Sequence, residues 1–356
     1  MNWTDLATAT ALASALLLGQ PAVEQRIDAA LESIRSQVPG LTLAVMSGGG
    51  VTYVKAIGTS SLSAVRPVSS DTQFRLASLS KPITAVGVFA LVDQGKINLD
   101  KPARDYCPAL LPLNGAPTVR HLLLHQSGLR HTNDSEDETI TGAYPRLAPS
   151  LARVTKEPLR FTPGRKVLYT SWGYAALGCV IEEVSGMSYA DFIRERVLSS
   201  AQMRHTSFDE PGYASDTFSP GFRMAGRFIQ SVVVDTRFKT PASGIISTVN
   251  DLMHFADALF AHRIISAASF AEMLAISPTL EDKAPMFTAG WTVGPSNLGT
   301  PGFNYNGSME GSTAVLVLLP EKKVAVALLT NRERYVPGVM PVVGEALRAT
   351  LGLAAK

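Results

Sequence analysis

Val23, Ile27, Ala30, Leu31 and Ile34 fall on one face at a helical repeat, so the spacing predicts a helix over 23–37, closed by Pro39-Gly40. Two apolar runs follow, 41–46 and 51–57. They are joined by Ser47-Gly48-Gly49-Gly50 and read as strand, turn and strand. A helix over about 79–94 then stops at Gly95. From about 96 to 244 the texture changes: Pro, His and Arg are frequent, helical patterns are short, no strand ladder stands out, and the long helix expected is 172–185. Beyond 245 the first texture returns. Thr248 with Asp251 three residues later has the pattern of a capping box at a helix start. Near the end, 313–319 and 324–330 read as strands flanking Pro320-Glu321-Lys322-Lys323. Both are apolar on both faces, which suits central strands covered by helices, and a helix over 338–351 would supply one cover.

The same kind of segment thus stands at both ends of the chain, with a helical stretch between. The expected division is an α/β domain from 21–95 and 245–356, an inserted helical domain at 96–244, and an N-terminal apolar segment, 1–20. The length, 356 residues, accommodates two interleaved units. Hydrophobic residues are 46% and charged residues 17%, enough for a large core. A net charge of +2, with no basic run interleaved with aromatics, gives no footprint for nucleic acid. The run Ala7 to Gly19 has the length of a signal peptide, but no Lys or Arg precedes it and Asp5 does. That favours a packed N-terminal helix and a cytoplasmic location over export. No other run approaches an integral membrane span. Of the two cysteines, Cys179 lies in an apolar stretch and Cys107 in a Pro-rich one, and two unpaired thiols are expected rather than a disulfide.

The most informative segment is Phe74-Arg75-Leu76-Ala77-Ser78-Leu79-Ser80-Lys81-Pro82. Proline is tolerated only in the first turn of a helix, so Pro82 places the helix start within about four residues before it. Ser78 then sits at the helix N-terminus, where unpaired amides favour developing negative charge. Lys81 is three residues on, on the same face. Of all the lysines, only Lys81 has a serine three residues before it. The pair has the makings of a nucleophile and its activating amine.

In this context the chain resembles the serine β-lactamase and penicillin-binding-protein superfamily, in its class C-like branch of esterases, D-aminopeptidases and mitochondrial β-lactamase-like proteases. Residues 74–84 look like that family's Ser-x-x-Lys segment. His121 to Leu129, Phe161 to Gly164 with Tyr169 to Tyr174, Pro241 to Asp251, and Gly307 to Gly311 followed by two strands and Leu329-Thr330-Asn331 look like its further landmarks, in order. The resemblance covers about 25–350. It implies an α+β fold of the β-lactamase/transpeptidase kind, an α/β sandwich whose antiparallel sheet is flanked by helices, with an inserted mostly helical domain and the active site in the cleft between. It implies acyl transfer by Ser78 with Lys81. Tyr169 would be the general base or proton relay, its pKa lowered by Lys81. The backbone amides of Ser78 and Ser308 would form the oxyanion hole. Ser171, Tyr305, Asn306 and Gly307 would meet substrate. No metal or other cofactor is implied, and the partner is a small-molecule ester, amide or peptide; the oligomeric state is open.

Two positions depart from the family pattern. Ser171 replaces an Asn that donates to substrate, and Tyr305-Asn306-Gly307 replaces Lys/His-x-Gly. Both favour a neutral ester or amide over a β-lactam. Arg332 or Arg334 could restore the lost cation, although solvated loop charges are the simpler reading of both, as they are of Glu310. His121 and His125 lack the Glu of a His-Glu-x-x-His zinc site, and His125 reads as a packed or hydrogen-bonding residue. The acidic cluster Asp134, Glu136, Asp137 and Glu138 reads as a solvated loop. An acyltransferase that uses the same acyl-enzyme and a non-catalytic ligand-binding relative remain as alternatives.

Overall fold

The computed structural model describes residues 21–63, 66–133, 144–232, 235–281, 286–294, 296–334 and 336–355. The apolar segment 1–20 and the acidic cluster at 134–138 lie outside the described residues. The first helix, α1, spans 21–32 and is followed by a 3₁₀ turn, Arg35–Gln37. It ends earlier than the periodicity predicts, where the chain tightens into that 3₁₀ turn; Val38, before Pro39, is extended (φ −134°, ψ 139°), as the residue before a proline prefers to be.

Strands β1 (Gly40–Ser47), β2 (Gly50–Ser61) and β3 (Arg66–Pro67) open the main sheet. It is completed from the other end of the chain by β9 (Phe287–Thr288), β10 (Trp291–Val293), β11 (Phe303–Met309), β12 (Ser312–Leu319) and β13 (Val324–Thr330). The order is β3-β2-β1-β13-β12-β11-β10-β9, eight strands paired antiparallel. In β13, Ala325, Ala327 and Leu329 enter one apolar core, while Val324, Val326 and Leu328 enter a second on the opposite face. This two-sided burial is why the last strands read as unbroken apolar runs.

The second core is closed by α1, through Ile27 and Leu31, and by the C-terminal helix Val339–Thr350. The first is larger. It holds α2 (Ser80–Asp93), whose residues are buried from Ser80 to Leu91, together with the helices Ser171–Ser185 and Val249–Phe260. A helix apolar all round belongs in such an interior. Among the described residues no helix is long and apolar enough to cross a membrane.

Three expectations change. Cys107 and Cys179 form a disulfide, 72 residues apart in sequence. Cys107 enters a 3₁₀ turn (Pro108–Leu110) that packs on the helix of Cys179, a juxtaposition that neither local sequence encodes. Closing a loop of this size restricts the unfolded chain by about 4 kcal/mol in the chain-entropy account. The region 96–244 does contain strands: β5 (Ser207–Phe208), which pairs with β8 (Ile245–Ser247), and a hairpin of β6 (Phe222–Ala225) and β7 (Arg227–Gln230) turning at Gly226, φ +72°. Finally, Thr248 does cap its helix by accepting from the Asp251 amide, but no capping box forms. The Asp251 carboxylate instead accepts from the His205 amide and the Thr206 hydroxyl.

Candidate active site

Ser78 lies in a 3₁₀ turn (Ala77–Leu79) between β4 (Phe74–Arg75) and α2. Pro82 falls in the first turn of α2, as its chemistry requires. Ala77 has φ +48°, a left-handed conformation that costs a non-glycine residue about 1–3 kcal/mol and persists only where the surroundings enforce it. Here they do. The Leu76 amide donates to Ile245 O, the Ile245 amide to Ser80 Oγ, and the Ser312 hydroxyl to Arg75 O. Gly307 of β11 lies so close that a Cβ there would come within 1.9 Å of Leu76 O. Glycine is required at 307 for the strand to press against the turn of the serine.

Behind Ser78, Lys81 is fully buried, and its Nζ donates to Ser78 Oγ at 3.0 Å and to Ala242 O at 3.0 Å. The Tyr169 hydroxyl donates to the same Oγ at 2.7 Å. Lys81 Nζ also stands 4.8 Å from the centre of the Tyr169 ring. Three residues predicted from sequence therefore converge on one oxygen.

Tyr169 is held on both sides by His125. The Leu168 amide donates to the His125 carbonyl at 2.8 Å, and the Thr170 amide to His125 Nδ1 at 3.1 Å. An amide can only donate, so Nδ1 carries the lone pair and Nε2 the proton. Nε2 lies 3.3 Å from the Tyr305 hydroxyl. Tyr305 in turn favours the ionised form of Tyr169. His125 and Tyr305 thus stand behind the Tyr169–Ser78 pair. Burial, then the charges of Lys81 and His131, hold the His125 pKa well below 6.5, so the ring is neutral. Burial raises Tyr169 to about 12, against the opposing hydrogen bonds from Ser78 and Tyr305. The expectation that Lys81 leaves this phenol with a lowered pKa is thereby corrected: loss of solvent outweighs its neighbours.

In front of Ser78 is a cleft of about 240 Å³. Ser171, Ser308 and Glu310 line it, as does Arg334. Ser171 begins its helix, and its amide donates to His131 Nδ1 at 3.1 Å. Tyr305 is turned inward, 3% exposed, and Asn306 is exposed but outside the set that lines the cleft, so the substrate contacts expected of these two are not where the structure places them. Arg332 also points elsewhere, donating to Gln37 O. His121 accepts from the Thr118 amide in a capping box, apart from His125. Sequence reasoning missed His131, Thr236, Lys239 and Ser243, which line the same cleft. Their signal was faint: His131 follows the His121–Leu129 element, Thr236 and Lys239 precede Pro241-Ala242-Ser243-Gly244, and Ser243 lies within it.

The Beta-lactamase family model matches residues 22–341. The chain belongs to that family. Curated relatives of this Beta-lactamase family member include the protein flp of Staphylococcus aureus (strain MW2), 24% identical over 327 residues, covering 88% of this chain and 64% of that protein. Another is penicillin-binding protein 4* of Bacillus subtilis (strain 168), 27% identical over 323 residues, covering 84% and 69%. The chain thus spans about two thirds of the length of these relatives. Among solved structures, the octameric penicillin-binding protein homologue of Pyrococcus abyssi superposes with a TM-score of 0.80 at 24% identity, covering 94% of this chain and 78% of that one. EstCE1, described as a hydrolase with promiscuous acyltransferase activity, also gives 0.80, at 19% identity and 94% and 100% coverage. The D-amino acid amidase of Ochrobactrum anthropi SV3 gives 0.79, at 22% and with 93% and 99% coverage. These likenesses establish the β-lactamase/transpeptidase fold, with its antiparallel sheet and flanking helices.

Proposed function

We propose that the protein is a serine hydrolase that cleaves an ester or amide (including peptide) bond through an acyl-enzyme on Ser78. The observation that supports this reading most is the double approach to Ser78 Oγ, by Tyr169 at 2.7 Å and Lys81 at 3.0 Å. The family and the order of its landmarks along the chain are consistent with it.

In the proposed sequence Lys81 reacts as the neutral amine: Oγ attacks the carbonyl carbon while its proton passes to Tyr169 and the Tyr169 proton passes to Lys81 Nζ, which becomes the ammonium. A phenol held at about 12 is a poor resting base, so the transfer is concerted with attack rather than preceded by a standing phenolate. The same high pKa suits Tyr169 to return a proton to the leaving oxygen or nitrogen. The Ser78 and Ser308 amides would receive the oxyanion; losing one such donor costs about 10²–10³ in rate. Water then attacks the acyl-enzyme through the reverse proton path. Ser171 and Tyr305, neither of which matches the family's usual Asn or cation, favour esters and simple amides over β-lactams.

Substitution Ser78→Ala tests the reading. Turnover of a 4-nitrophenyl ester should fall by about 10³-fold or more while the circular dichroism melting curve stays nearly unchanged. A variant retaining more than about a tenth of the activity would contradict it. Adding an alcohol acceptor distinguishes transfer: a second product ester that grows with acceptor at constant total turnover would make the protein an acyltransferase on the same nucleophile.

A further inference from the structure

Lys81 rests on a carbonyl, Ala242 O, that belongs to a helical segment of only four residues, Thr240–Ser243. The last backbone bond of that segment runs from the Gly244 amide to Thr240 O. Ile245 then enters β8, and its amide donates to Ser80 Oγ at 3.1 Å. Pro241 O and Ala242 O are therefore the carbonyls that a helix leaves over at its end. Side chains of α2 take both. Thr84 Oγ1 donates to Pro241 O at 2.6 Å, and Lys81 Nζ to Ala242 O at 3.0 Å. Lys81 and Thr84 are three residues apart on α2 and so share a face, while their two acceptors are adjacent on the segment.

A second hydroxyl stands behind Thr84. Tyr189 opens the short helix Tyr189–Ile193, and its hydroxyl lies 2.6 Å from Thr84 Oγ1, its one partner among the described residues. A threonine hydroxyl has a single proton. Thr84 spends it on Pro241 O; the longer contact, to Ser80 O at 3.3 Å, is the ordinary back-bond of a helical threonine. The proton between Thr84 and Tyr189 is therefore that of the tyrosine, and the two hydroxyls donate in series. Each bond in such a series strengthens the next. The segment is pinned again by the helix Ser171–Ser185, where Gly178 leaves no room for a Cβ against Pro241. Thr84 and Tyr189 are both buried, and neither lines the cleft in front of Ser78.

We propose that Thr84 and Tyr189 are positioning residues for the reaction at Ser78: donating in series, they fix the 240–243 segment so that Ala242 O holds the Lys81 amine in the orientation that receives the Tyr169 proton. This rests on the Ser78 hydrolase reading and adds to it a support that lies away from the substrate cleft. Ala242 O holds one hydrogen of the neutral amine, which sets where the lone pair points. When the amine takes up the proton, the same carbonyl accepts from the ammonium. Residues that act in this way change the rate of proton transfer and leave substrate binding alone.

The test measures kcat and KM for a 4-nitrophenyl ester, and the rate of Ser78 labelling by a fluorophosphonate, in Thr84→Val, Thr84→Ser, Tyr189→Phe and the double variant Thr84→Val with Tyr189→Phe. In Thr84→Val, kcat and the labelling rate should fall about tenfold or more while KM stays within about twofold, the pattern of a displaced catalytic group. Thr84→Ser should recover most of that loss. Tyr189→Phe should cost about threefold alone and almost nothing when added to Thr84→Val, because it acts through Thr84. A lower melting temperature with unchanged kcat per titrated active site in Thr84→Val would make the pair merely structural and overturn the proposal, as would a loss that Thr84→Ser does not recover. Where Thr84→Val does not fold, Tyr189→Phe decides: a lowered kcat at unchanged KM supports the proposal, and a kcat equal to wild type overturns it. Should wild type neither hydrolyse the ester nor take the label, the Ser78 reading fails by itself, and the positioning is read from crystal structures of wild type and Tyr189→Phe. A separation of Lys81 Nζ from Ala242 O lengthened beyond about 3.5 Å in the variant supports it, and an unchanged one overturns it.

Discussion

Behind Ser78, Lys81 and Tyr169 both donate to its Oγ, and His125 and Tyr305 pair with each other on the far side of Tyr169. In front of it, Ser171, Ser243, Lys239, Glu310 and Arg334 come from separate loops and helix starts, and two of the hydroxyls on that wall have no partner among the described residues. The inner side satisfies itself, so each member has a fixed geometry whatever is bound. The outer side instead presents polar groups that open on the cleft. Chemistry and selectivity would then be separable: a change behind the serine should slow all substrates alike, and a change in front should reorder them.

Tyr169→Phe breaks the inner side most sharply. Removing the hydroxyl that reaches Ser78 Oγ should cost about 10²–10⁴ in kcat for neutral and anionic esters equally, a range typical of lost acid–base catalysis. A loss confined to one ester class, read from steady-state kinetics, would mean that Tyr169 belongs to the recognition wall instead.

His125 gives the inner side a pH signature. Its folded pKa lies well below the unfolded value of 6.5. The depressed value means that this stability is fully present above pH 6.5 and is lost as pH falls toward the folded pKa, because the unfolded chain binds a proton that the native ring refuses. Urea midpoints measured between pH 7.5 and 5.5 should therefore decline in wild type, by at most about 1.4 kcal/mol per pH unit from this group, and decline less steeply in His125→Gln. Parallel slopes would show that the ring protonates freely and does not lock the tautomer that holds Tyr169.

The smallest effect is expected at Glu310, exposed on the outer wall. Glu310→Gln should leave neutral esters within about twofold and raise kcat/KM for anionic ones modestly, in the range of exposed charge effects. A larger loss on neutral esters would place Glu310 in the reaction itself.

How far the sequence was legible follows the same division. The central strands and α2 could be read because their burial on both faces leaves an unbroken apolar pattern, and Pro82 marks where α2 begins. Ser78 and Lys81 are close in sequence, so helix geometry alone joins them. Tyr169 came from resemblance, since nothing local distinguishes one tyrosine in a loop. Tyr305 was expected to meet substrate, yet it faces His125, 180 residues away. Its inward turn depends on a partner that no local pattern announces. The Cys107–Cys179 bond is hidden for the same reason, and so are Thr236 and Ser243, whose lack of partners is a property of packing.

The most direct measurement of the central claim is intact-protein mass after brief exposure to a fluorophosphonate and to a slowly hydrolysed 4-nitrophenyl ester, with peptide mapping, beside Ser78→Ala. The account predicts one adduct per chain, on Ser78, absent from the variant. An adduct on another residue, or none on a folded protein that still hydrolyses the ester, would contradict it.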